Sequence, residues 1–86
     1  MNERITIAAA GNTLAPALAV IRGMGYQVTR EAGGDTVYVA ESGVCTLKAE
    51  DPLTLLGLAK LYEVRGRNWR PTDAEVSALL ALEGEE

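Results

Sequence analysis

Ile5 and Ile7 alternate with Arg4 and Thr6, the two-residue period of a half-buried strand, and predict a short first strand ending near Ala9. After Gly11, Asn12 and Thr13 the period lengthens. Leu14, Leu18 and Ile21 fall at helical spacing and predict a helix from about Leu14 to Met24, capped by Thr13 or Asn12 and stopped at Gly25. Pro16 is tolerated because it lies in the first turn. From Tyr26 the alternation returns: Tyr26 and Val28, a turn at Gly33 and Gly34, then the β-branched and aromatic run Val37 to Ala40. That pattern is a hairpin. A second turn at Ser42 and Gly43 leads to a further strand, Val44 to Lys48.

Asp51 followed by Pro52 is a strong helix start, a cap and then a residue whose fixed φ suits the first helical position. The second helix is predicted to run to about Val64 and to stop at Gly66. At 100° per residue Lys60 and Glu63 share a narrow polar sector, and Leu53, Leu55, Leu58, Leu61, Tyr62 and Val64 spread over most of the rest. One sheet face covers a stripe of only ~100°, so this helix needs a second cover. The stretch Thr72 to Glu75 reads as a capping box opening a third helix, whose Val76, Leu79, Leu80 and Leu82 form the expected cover. The architecture predicted is α+β in the order β-α-β-β-β-α-α: a mainly antiparallel sheet of three or four strands, with the helices packed on one face. With 86 residues and no repeat or linker, positions 1–86 read as one compact domain ending in a flexible acidic tail, 83–86.

Composition narrows the chemistry. The formal charge is −4, which opposes general binding to nucleic acid or anionic membrane and favours a basic partner. Histidine is absent and Cys45 is the single cysteine, so the chain cannot assemble a Cys/His zinc site or an internal disulfide. Cys45 reads as a small buried strand residue in a reducing cytoplasm. The stretch from Ile5 to Ile21 is interrupted by Gly11, Asn12, Thr13 and Pro16 and flanked by Glu3, unlike a secretory signal. No run reaches the ~18 apolar residues that would span a bilayer.

No catalytic residue is expected. Ser42, Ser77 and Cys45 have no base at a suggestive spacing, and the pair Glu50 and Asp51 reads as a cap with a favourable dipole charge. The strand-to-helix turn at Gly11, Asn12 and Thr13 is the one place where amides could cradle an anion, but it lacks a phosphate-loop lysine or spaced glycines. Neither metal nor cofactor is implied. The remaining feature is VRGRNWRPT, Val64 to Thr72, where Arg65, Arg67 and Arg70 surround the only tryptophan, Trp69. Its first reading is a helix stop, a connector and a helix start, with Trp69 sealing the core between two helices. If Trp69 turns outward, Tyr62, Arg65, Arg67, Trp69 and Arg70 become a partner-binding patch, since Trp and Arg are enriched at binding hot spots. The expectation is a non-enzymatic, bacterial-type interaction protein, an inhibitor or immunity-like partner of a basic protein, with a homodimer through the apolar helix 52–64 as a further option. The alternative is a nucleic-acid accessory that uses Arg65, Arg67, Trp69 and Arg70.

Overall fold

The computed structural model describes residues 4–31, 33 and 36–84. These form three helices, α1 (Leu14–Gly23), α2 (Pro52–Arg65) and α3 (Asp73–Leu82), and three strands, β1 (Gln27–Glu31), β2 (Val37–Glu41) and β3 (Thr46–Ala49). The class is mixed α+β. The sheet is antiparallel in the order β1-β2-β3, with Val28 opposite Ala40 and Ala40 opposite Leu47. That register puts Val28, Tyr38, Ala40, Leu47 and Ala49 on one face, where they pack with Ile21 of α1 and Leu55, Leu56 and Ala59 of α2. The opposite face is mostly polar and carries the ion pair of Lys48 with Glu31 at 3.6 Å.

Local chemistry sets the element ends. The Asp51 carboxylate accepts from the Thr54 amide at 2.7 Å and from the Thr54 hydroxyl at 3.1 Å, which satisfies one of the free N–H groups at the start of α2. At its other end Gly66 sits at φ 60°, a conformation in which a Cβ is strained. The Ser42 hydroxyl accepts from the amides of Val44 and Cys45, both at 3.2 Å, and so shapes the β2–β3 turn. Of the other expected turn, Gly33 has positive φ, and Gly34 lies outside the described residues. The core is small: among the described residues Ile21 and Leu55 are the largest side chains fully removed from solvent.

Three expectations are corrected. Residues 4–9 form no strand, and Ile5 and Ile7 are 81% and 82% exposed. Alternation suits a segment to a sheet edge without supplying one, and this stretch pairs with neither β1 nor β3; α1 therefore feeds β1 through the Gly25 turn rather than as a crossover. Thr13 does not cap α1 with its side chain, because its hydroxyl donates back to the Ala10 carbonyl at 2.6 Å. The largest departure is α3. It does not lie on α2, and none of its residues is buried. α1 packs along one side of α2 instead. Of the acidic tail, Glu83 and Gly84 follow α3 as a turn, and residues 85–86 lie outside the described residues.

Candidate functional site

Because α3 does not cover α2, a groove of about 410 Å³ stays open between the end of α2 and the β3 side of the sheet. Leu58, Leu61 and Tyr62 of α2 form one wall, and the stretch Val44 to Lys48 forms the other. Gly66, Arg67, Trp69 and Arg70 close the end. β3 is an edge strand, so the second wall brings backbone as well as side chains to the groove. Among the described residues no carboxylate lines it.

Trp69 is 45% exposed and stands outside the central core cluster. The expectation that it seals the core between two helices is corrected: with α3 undocked there is no helix pair to seal. The Arg70 guanidinium lies over its ring, 4.9 Å from the centroid, a cation–π contact that orients the indole and already occupies part of its surface. Arg67 is exposed at the same end of the groove, and Tyr62 is half-buried in its wall.

Arg65 differs from its neighbours. Its guanidinium meets the Glu75 carboxylate at 2.9 and 3.1 Å and also donates to the Arg70 carbonyl at 3.4 Å. It is thus an internal tether between the end of α2 and the start of α3. Glu75 completes the predicted capping box: its carboxylate accepts from the Thr72 amide at 2.9 Å while its own amide donates to the Thr72 hydroxyl at 3.2 Å. The Thr72 amide first, and then Arg65, hold the Glu75 carboxyl below its usual titration range. A carboxylate whose folded value is depressed contributes fully above the unfolded value and loses that contribution as pH falls through the folded one. Acidification below the ordinary carboxylate range is therefore expected to release the first turn of α3. A carboxyl NMR titration should give Glu75 a midpoint lower than that of a Glu in an unstructured peptide, and Arg65→Ala should move it upward. Equal midpoints in the intact chain would sink the tether.

Cys45 is half-buried in the groove wall, with its sulfur 3.5 Å from the Tyr26 hydroxyl and 3.8 Å from that of Ser42. The hydrogen bond with Cys45, followed by burial, pushes the Tyr26 phenol up to about 12. Gly11, Asn12 and Thr13 form a 3-10 turn outside this groove, and the Thr13 amide is already donated to Ala10 at 3.0 Å. Asp51 is engaged as the α2 cap, and Glu50 beside it is exposed. Among the described residues no helix is long and apolar enough to cross a membrane.

The structure thus brings Tyr62, Arg67, Trp69 and Arg70 to one groove and assigns Arg65 to the tether. The sequence reading did not name Leu58, Leu61, Val44, Cys45 or Leu47 as site residues. The broad apolar girth of α2 was the signal for the first two. No family model matches the chain, and neither the curated proteins nor the solved structures compared with it yield a match.

Proposed function

We propose that the chain is a non-enzymatic protein-interaction module whose groove between α2 and β3 receives an apolar helical segment with acidic flanks. The observation that carries this reading is Trp69: a half-exposed indole at the end of an apolar groove, with Arg67 and Arg70 beside it and, among the described residues, no carboxylate in the lining. Aromatic and Arg anchors beside a desolvated apolar strip are the usual composition of a binding hot spot. A role as an inhibitor or immunity-like partner fits the same class. The net charge of −4 favours a basic partner at long range, but that steering is screened beyond ~8 Å at physiological salt, so the two arginines decide the sign at contact.

Trp69 is also the reporter. A helical Leu/Glu peptide is expected to shift its emission to the blue, and a Leu/Lys peptide with the same apolar stripe is not. Arg67→Glu with Arg70→Glu should reverse the preference, by about tenfold in affinity if each rim pair contributes ~0.2–1 kcal/mol. With the chain diluted until it sediments as a monomer, no response to either peptide, or a preference that survives the charge reversal, removes the reading. A response to a single-stranded oligonucleotide that displaces the peptide would replace it with nucleic-acid binding.

A further inference from the structure

We propose, on the strength of the groove reading above, that the occupant of the groove is α3 of a second copy of this chain, docked reciprocally in a two-fold dimer. Three observations lead there. The first is area. The chain exposes 6852 Å², whereas a compact folded protein of 9.1 kDa exposes about 4,900 Å². The radius of gyration agrees, at 15.5 Å against about 12 Å for a compact chain of this length. The excess, on the order of 2,000 Å² per copy, is shared by the unpacked residues 4–10 and by α3 with the groove beside it, and about half of it matches what one partner contributes to a standard interface.

The second is the helix itself. Val76, Leu79, Leu80 and Leu82 are 42%, 54%, 37% and 85% exposed, and none of them lines the groove of its own chain. The Arg65–Glu75 tether holds the first turn of α3 to the end of α2 and leaves the apolar residues beyond it uncovered. A helix and a groove that one chain carries side by side but does not join are the two halves of an isologous contact: a two-fold axis lets each copy fill the other's groove, and the assembly closes at two.

The third is charge. From Asp73 to Glu86 there is no basic residue, and with Glu75 engaged by Arg65, Asp73 and Glu83 are the carboxylates that flank the apolar run of α3. The groove end has Arg67 and Arg70 and, among the described residues, no acid. Lys48, although it borders the groove, is paired with Glu31. The signs therefore match between helix and groove, whereas two copies of α2 laid together, the homodimer suggested by sequence, would gain no such match.

Sedimentation of the full chain from micromolar to several hundred micromolar tests the proposal. The chain is expected to be a dimer. Leu79→Glu with Leu80→Glu, at exposed positions outside the core, where the cooperative urea transition of the α1–α2–sheet unit should persist, should weaken it at least 100-fold. A groove variant, Trp69→Ala with Arg67→Glu and Arg70→Glu, should do the same. Mixing the two variants should give a heterodimer tighter than either variant's self-association but weaker than the wild type, because one of the two reciprocal contacts, the first's groove with the second's helix, is intact. Three results overturn the proposal: a wild-type monomer throughout, a dimer that survives the α3 substitutions, or a dimer lost instead with Ile5→Glu and Ile7→Glu, which would mean exchange of the N-terminal segment. The Leu79→Glu, Leu80→Glu chain also separates this failure from that of the groove reading. If it binds the Leu/Glu peptide while the wild type is monomeric, the groove accepts a foreign helix and only self-docking falls. If it binds no peptide, the groove reading falls with it.

Discussion

Replacing Leu55 with alanine is expected to destabilise the chain by about 3 kcal/mol, within the ~2–5 kcal/mol that core Leu→Ala changes cost. Leu55 is fully buried and packs with Ile21, Tyr26, Ala40 and Ala59, where α1, α2 and the middle strand meet. Part of the loss is transfer free energy, ~25 cal/mol per Å² of apolar surface returned to water in the reference state. The rest is the cavity, which this site can fill only partly: Ala40 and Ala59 beside it are already small and have no side chain to lean inward. Domains of this size have stabilities of roughly 0.05–0.15 kcal/mol per residue, so the variant loses a large fraction of the total. Urea unfolding followed by circular dichroism should show the midpoint displaced downward at nearly constant slope, and thermal unfolding should fall by roughly 12–24 °C, at ~4–8 °C per kcal/mol. A change below ~1 kcal/mol would mean that the core does not centre on Leu55.

Alanine scanning of two glycines should give opposite signs. Gly66→Ala places a Cβ at φ 60° and ψ −137°, outside the regions L-residues occupy readily, and is expected to cost ~1–3 kcal/mol. Nothing lies within 4 Å of the position a Cβ would take, so the cost arises from backbone strain and not from a clash. Gly57 also has open space around it, but it lies in the interior of α2 with ordinary helical geometry. Gly57→Ala should therefore stabilise by ~0.5–1 kcal/mol, because alanine loses less backbone freedom on folding. The paired urea midpoints decide the matter. If both variants shift the same way, Gly66 does not hold the conformation that ends α2.

These positions also show which parts of the molecule were legible in the amino-acid sequence. Asp51 with Pro52, Gly66, and Thr72 with Glu75 each specify an end of a helix through bonds within three or four residues, and each is found where the pattern predicted. The three consecutive strands were legible for the same reason, since short turns such as that at Ser42 set their pairing. Ile5 and Ile7 required something more: a partner edge, which no property of residues 4–9 encodes. The destination of α3 is of the same kind. Its apolar residues say that it needs a cover, and that cover is not α2 of its own chain. Trp69 follows from that outcome. The residue types of the patch were readable, but its outward direction depended on whether a second helix closed over it.

The exposed third helix has a consequence for how order arises in this molecule. A helix of ten residues is below the ~12–15 at which an isolated segment is more than marginally stable in water. The capping box and the Arg65 tether favour its first turn only, and the turns from Leu79 onward rest on their own propensity. Order in this segment is thus expected to be coupled to contact, its last turns gaining stability as apolar surface is covered. The α1–α2–sheet unit can be fully folded while the end of the chain is still choosing its conformation, and the helical content of the protein then becomes a measure of occupancy.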